Sequence, residues 1–396
     1  MKIALLAPFG IRPKGTLLAR MIPMAEALKK YGHEPVIVAP PYTNPEDSGR
    51  EETIRGIMLK NICLKSPIGL TTIILSLRMY RAAMNERPDL IYLFKPKGYG
   101  GMAAMRLILT RSLGRDLPPL VVDSDDWEGT GGMNDMLPYS LAQRMVFDFQ
   151  EQWILRRANA VTVASRELEN RIRVIAGKNS PVIYISNGAT PTKRGDGISA
   201  RLKLGIPVDA PVALLYTRFF EFSQKRLHDL FSEIHTLAPE IRFLVVGAGR
   251  RGEEDGLLRV ARQRGFDREL TMTGWVEPEY LPDILAAGDA APYLFDDTLV
   301  NRTKCPAKLT ELVNAGVAVV ADRVGQLAEY LPESDDTLCL PGDWRKMARQ
   351  IIRLLEDNRL RRQVAAQQYE YMQSNFSWDG LTKSLDSLMR SLVCEK

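Results

Sequence analysis

A repeating rhythm restricts this chain more than any single residue does. Short apolar runs recur, most of them leading into a helical pattern: KIALLAP precedes 17–31, EPVIVAP follows, DLIYLFK precedes 99–114, PLVVDSD precedes 140–157, AVTVAS precedes 166–177, and PVIYISNG closes the series. Strands that are apolar throughout have both faces covered, which predicts a parallel sheet between layers of helices. The stretch ATPTKRGDGIS then reads as a linker. A second series follows, with strands in PVALLYTR, IRFLVVGAG, ELTMTGW, AAPYLF and VAVVAD, and helices at 225–237, 253–264, 279–287, 306–315 and 343–356. The fold class is therefore α/β, two Rossmann-like doubly wound domains in tandem, 1–190 and 191–376, with ligands expected where strand C-termini face a cleft. Beyond a polar helix at 358–372, Ser377 caps a last helix (377–396) whose Trp378, Leu381, Leu385 and Leu388 form one apolar stripe. That stripe is assigned to the surface of the first domain.

With 396 residues, 45% hydrophobic and 26% charged, there is material for two substantial cores. No apolar run reaches the roughly 18 to 20 residues that span a bilayer, and the opening MKIALLAPFG reads as a first strand, not a signal peptide. Cys63, Cys305, Cys339 and Cys394 are scattered, with neither zinc-ligand nor disulfide-framework spacing, which fits a reducing cytoplasm. The net charge is +5, and the basic excess falls in residues 1–190. Arg78, Arg81, Arg87, Lys95, Lys97, Arg106, Arg111 and Arg115, beside the apolar IGLTTIILSL at 68–77, point to a membrane-borne, lipid-linked acceptor and peripheral contact at the inner membrane face. The same apolar stretch reads equally as a core helix, and no nucleic-acid partner is expected.

Several clusters carry chemistry. In YTRFFEFSQKRLHDL, Arg218 follows a strand and Lys225 opens the next helix, two cations suited to a diphosphate. FLVVGAGRRGEE ends a strand on Gly247 and Gly249, where the backbone approaches a ligand closely, but its third glycine is misplaced for a dinucleotide fingerprint. The helix at 306–315 offers its N-terminus to an anion, with Glu311 in its first turns as a hydroxyl acceptor. In the first domain, APFGIRPKGTLLAR forms a loop through Gly15. VVDSDDWEGTGG packs Asp123, Asp125, Asp126 and Glu128 together, either as a D-x-D metal site or as caps and turn formers. His33, His228 and His235 pair with no nucleophile.

Taken in order, these segments resemble retaining nucleotide-sugar glycosyltransferases of the GT-B fold, specifically glycosyltransferase family 4, along the whole chain. LLYTRFFEFSQKRL is similar to the family's "GR…K" segment, and TGWVEPEYLPDILAAGDAAPYLF to its "GxVxxxxLPxLYxxADVFVxPS". PAKLTELVNAGVAVVADRVGQLAEYL resembles "PxKLxEAMAxGxPVVAxxxGGxxEVV", and NFSWDGLTKSLDSL the final helix that crosses back to the first domain. The resemblance implies an acceptor-binding first domain and a donor-binding second domain. Arg218 and Lys225 would hold the donor diphosphate, and Gly15, Gly247, Gly249, Lys308 and Leu309 would line the donor site. Trp275 and Val276 would meet the nucleobase and Glu311 the ribose.

The family's first acidic sugar contact falls here on Thr303, with Asp296 or Asp297 as substitutes, and its histidine loop falls on Asp125 and Asp126. The implied chemistry is transfer of a hexosyl-type sugar with retention to an acceptor hydroxyl in cell-surface glycan or glycolipid synthesis. The nucleotide-diphosphate sugar is co-substrate, and neither a metal nor another cofactor is required. The alternatives are a nucleotide-sugar-binding protein with little turnover, a GT-B-shaped epimerase and a nicotinamide oxidoreductase.

Overall fold

The apolar runs become parallel strands in a computed structural model of the chain, which describes residues 1–12, 17–178, 180–190 and 194–394. Two compact units result. The first comprises Met1–Gly188, Thr303–Cys305 and Trp378–Lys396, and the second Ala189–Arg302 and Pro306–Ser377.

Among the described residues, the first unit carries β1 (Lys2–Leu6), β2 (Glu34–Ala39), β3 (Glu51–Ile54), β4 (Ile57–Asn61), β5 (Leu90–Phe94), β6 (Leu120–Ser124), β7 (Ala160–Val163) and β8 (Val182–Tyr184). Their order in the sheet is β3-β4-β2-β1-β5-β6-β7-β8. All neighbours pair in parallel except β3 with β4. That hairpin was not foreseen. EETI and IMLKN alternate in burial instead of being apolar throughout, and Arg55 and Gly56 turn between them at φ of 52° and 79°, the left-handed pair that a two-residue hairpin loop requires. Segment 68–77 divides, with Ile68 and Leu70 exposed ahead of a helix at Thr71–Asn85 that buries Leu75, Met79 and Ala83.

The last helix, Trp378–Cys394, serves the first unit's core: Trp378, Leu385 and Met389 are buried there, with Leu381 and Leu388 packed alongside. Lys30 reaches Asp379 at 2.9 Å, and His33 meets Asp386 at 2.6 Å.

In the second unit, β9 (Val212–Tyr216), β10 (Arg242–Val246), β11 (Leu270–Gly274), β12 (Ala290–Tyr293), β13 (Ala318–Asp322) and β14 (Leu338–Cys339) form a parallel sheet ordered β11-β10-β9-β12-β13-β14. The core joins Phe231, Phe243 and Phe266 to Met347, Ile351 and Leu355 of the helix Trp344–Glu356. Chain order reverses between β1 and β5 in the first sheet and between β9 and β12 in the second. Doubly wound sheets open a crevice at such reversals, beyond the strand C-termini.

Candidate functional site

At the reversal of the second sheet, the strand ends supply two tyrosines, Tyr216 from β9 and Tyr293 from β12. The chain then turns sharply. Thr217 Oγ1 accepts the Phe219 N–H at 2.8 Å, Phe219 adopts φ of 64°, and its ring is buried. A left-handed non-glycine residue is costly and needs surrounding structure to hold it. Here Gln224 Nε2 donates to the Phe219 carbonyl, Asn301 Nδ2 donates to the Glu221 carbonyl at 2.6 Å, and the Ser223 N–H donates to Asp296 Oδ2 at 2.7 Å. Arg226 bridges Asp296 at 3.1 Å and the buried Asp322. The turn leaves Arg218 exposed at the strand ends.

Glu311 comes to the same place from the helix Ala307–Asn314, in its second turn and not its first. Burial pushes the Glu311 carboxyl up, opposed by a hydrogen bond from Tyr216 and by the charges of Lys308 and Arg218. Lys308 Nζ lies 5.0 Å from the centre of the Tyr216 ring. Burial, then Glu311, raises the Tyr216 hydroxyl well above its ordinary range, so it remains a donor at any physiological pH. Burial raises Tyr293 too, with Glu221, Tyr216 and Glu311 adding to it. Arg250, 4.4 Å above the Phe220 ring, feels both Arg218 and Glu221. No side chain caps the first turn of the helix, which begins after Pro306.

Arg218, Lys308 and Glu311 are thus brought together. Leu309 is a core residue one position on, fully buried. Lys225 stands apart with its side chain 84% exposed, paired to Asp229 at 2.6 Å. Gly247 takes φ of 113°, its N–H bonds the Gly274 carbonyl at 2.9 Å, and a Cβ there would lie 2.0 Å from the Thr217 carbonyl oxygen. Its lack of a side chain serves the packing beneath the Arg218 turn. The Gly249 N–H is taken by Glu254 at 2.7 Å, and Glu253 accepts from Arg251 N–H. Glu253 and Glu254, in the first turn of the helix Glu253–Arg264, thus take backbone N–H groups of the kind that bind phosphate in a dinucleotide fold. Trp275 is exposed and Val276 partly buried, just past β11 at the sheet edge.

Asp296 is committed to the Ser223 N–H and Arg226, and Asp297 to Arg302. Thr303 is buried and packs with the first unit, where Ser165 Oγ donates to its carbonyl at 2.7 Å. These positions hold loop and core together.

In the first unit, Gly15 lies outside the described residues. Asp123, ending β6, is buried and grips Arg20 through two bonds of 2.7 and 2.6 Å, with Thr162 donating to the same carboxylate at 2.6 Å. Lys95, directly after β5 at φ of 56°, is buried with Nζ at 2.8 Å from Asp125, 2.7 Å from Asp126 and 3.0 Å from Glu128. Lys97 adds Glu128 at 2.5 Å and Asn134 at 2.9 Å. Both lysines were expected on a basic outer surface; instead they neutralise the acidic run from within. Burial works against the Lys95 charge, but the three carboxylates outweigh it and raise its pKa well above the ordinary value. Burial pushes Asp125 up to about 6 against the pull of Lys95, and pushes Glu151 up to about 8, with Glu128 adding to it. Among the described residues no cluster of His, Cys, Asp or Glu has the arrangement of a metal site.

Sequence reasoning missed Tyr216, Tyr293 and Glu221, and placed Lys95 on the outer surface. The available signal was positional, because all four end or follow the strands that flank a reversal.

Comparison with known proteins agrees with this architecture. Residues 210–357 match the model of "Glycosyl transferases group 1", and residues 19–188 that of "Glycosyl transferase 4-like domain". The lipopolysaccharide core biosynthesis glycosyltransferase LpsE of Rhizobium meliloti (strain 1021) is 26% identical over 196 residues, 48% of this chain and 53% of that protein, so the match spans about half of each. Sucrose-phosphate synthase from Thermosynechococcus elongatus superposes with a TM-score of 0.72 at 19% identity over 100% of both chains. Anabaena HepE, solved with UDP and glucose, gives 0.73 at 19% over 99% of this chain and 100% of its own. Two matches to glycosyltransferase-type domain models, one over each doubly wound sheet, together with these superpositions, place the chain in the GT-B fold.

Proposed function

We propose that the chain is a retaining, family 4 hexosyltransferase that moves a sugar from a nucleotide-diphosphate sugar to an acceptor hydroxyl in cell-surface glycan or glycolipid synthesis. The observation that carries this reading is the meeting of Arg218, Lys308 and Glu311 at the reversal of the second sheet, beside an uncapped helix start. HepE's complex with UDP and glucose supports a nucleoside-diphosphate donor, and LpsE's name supports a glycan pathway.

Arg218 and the first turn of the helix Ala307–Asn314 hold the diphosphate, with Lys225 swinging from Asp229 to join them. Fixed cations stabilise charge on the departing nucleoside diphosphate, so no metal is required in this reading. Glu311 accepts from the ribose, and the base lies along Trp275 and Val276. The bond from the anomeric carbon to the diphosphate oxygen breaks on the face where the acceptor oxygen bonds, and the acceptor proton passes to that phosphate oxygen, which retains configuration. In the first unit, Asp125 and Asp126 are caged by Lys95 and present no bare double charge.

The acceptor is lipid-linked and binds the first unit. There Ile68, Leu70 and Ile73, and separately Leu141, Met145 and Phe149, stand exposed, which supports peripheral contact with the inner membrane face. Among the described residues no helix is long and apolar enough to cross a membrane. Thr303, in place of an acidic sugar contact, favours a second reading, donor binding with little turnover.

A panel of nucleotide sugars screened by thermal shift tests the proposal, since a ligand that binds only the native state raises the melting point. One base and one sugar are expected to stand out. Arg218→Ala is expected to lower affinity at least tenfold, the scale of one charge-assisted bond to phosphate, with the unliganded melting point unchanged. A full shift in that variant would overturn the diphosphate assignment. Transfer to a lipid-linked acceptor, absent in the second reading, separates the two.

A further inference from the structure

We propose that Tyr216 is a positioning residue that sets Glu311 for recognition of the nucleotide's ribose, an inference that rests on the donor site proposed above. Tyr216 ends β9 at the point where the sheet order reverses, and its hydroxyl is hydrogen-bonded to the Glu311 carboxylate arriving from the helix Ala307–Asn314. The phenol has one proton to give and the carboxylate has two oxygens. One oxygen is held by Tyr216, and the other accepts from a sugar hydroxyl. Lys308, one turn before Glu311, lies over the Tyr216 ring, so ring, ammonium and carboxylate form one packed group.

The arrangement answers a difficulty specific to this site. A carboxylate in a partly buried position beside a bound diphosphate tends to take up a proton, and a protonated carboxyl is a poorer acceptor. Four groups face Glu311: Tyr216 from β9, Arg218 from the loop after it, Tyr293 from β12, and Lys308 from its own helix. The two cations favour ionisation, but a donor's own phosphates compete for Arg218. The phenol is neutral, so an incoming anion does not draw it away. Tyr216 therefore keeps Glu311 ionised and oriented while the diphosphate is bound.

The test compares wild type, Tyr216→Phe and Glu311→Gln by calorimetry with UDP, ADP and their 2′-deoxy and 3′-deoxy counterparts. Wild type is expected to prefer one ribonucleotide over a deoxy counterpart by about tenfold, the scale of one hydrogen bond to a charged group. In Tyr216→Phe this preference should fall below about threefold while the deoxy compounds bind as they do to wild type. General loosening of the fold would weaken both together. Its remaining preference should also appear at higher pH than in wild type, because the bond that favours ionised Glu311 is gone. Full ribose preference in Tyr216→Phe, or equal loss for ribo- and deoxynucleotides, would overturn the proposal. Failure of wild type to bind any nucleoside diphosphate would instead remove the donor site itself, and this inference with it.

Discussion

The two sheet reversals solve the same backbone problem in opposite ways. Each is followed within a few residues by a non-glycine residue in the left-handed region, Lys95 after β5 and Phe219 after β9. At Lys95 the buried side chain is the charge, and it draws Asp125, Asp126 and Glu128 inward into a cage that Lys97 completes, two cations against three carboxylates. At Phe219 the buried side chain is apolar, and the charge, Arg218, is left exposed at the strand ends. A cage spends its electrostatics on its own fold, whereas an exposed cation over a braced turn keeps its attraction for something else. The comparison supports assigning anion binding to the second unit and shape to the first.

The strongest way to break the comparison is Lys95→Met. Removing the centre of a buried ion cluster strands Asp125 and Asp126 and leaves Glu128 to Lys97 alone, and a loss of about 3 to 5 kcal/mol in denaturant unfolding is expected. A loss below about 1 kcal/mol would mean that water already relaxes the cage.

Glu151→Gln sharpens the picture by pH. Glu151 sits beside the cage, accepts the Glu128 N–H and has its pKa raised to about 8 by burial. A carboxyl raised in the folded state is protonated there while the unfolded chain ionises. Its penalty is therefore absent at low pH, grows as pH rises from the unfolded value, and is complete above about 8. The amide should match wild type near pH 4 and exceed it by about 1 to 3 kcal/mol near pH 9, read from melts across that range.

The smallest effect is expected at the second reversal. Lys225→Ala should change stability by less than about 0.5 kcal/mol, because its pair with Asp229 is exposed. It should still weaken nucleotide-sugar binding in titration calorimetry. Unchanged affinity would leave Arg218 and the helix start as the diphosphate grip.

The rhythm of apolar strands and amphipathic helices was legible because strands buried on both faces leave an unmistakable signature. The closing helix was legible through its Trp378 to Leu388 stripe. The hairpin β3–β4 was not, since an edge hairpin alternates polar and apolar residues and has no long apolar run to announce it. At the site, Arg218 and Glu311 could be picked out by residue type beside strand and helix ends. Tyr216 could not, because a tyrosine ending an apolar strand looks like core until its hydroxyl's partner, 95 positions along the numbering, is known. Lys95 and Lys97 were misjudged for a related reason: sequence shows a charge but not whether it faces water or a buried carboxylate.

The helix Trp378–Cys394 carries a consequence for synthesis. It delivers Trp378, Leu385 and Met389 to the core that Ile3, Leu5 and Leu28 begin. Protein chains emerge from the ribosome N-terminus first, so the first unit waits for a helix made after the second unit before its interior is sealed. The later half, whose aromatic core is complete by Val364, is able to close before it.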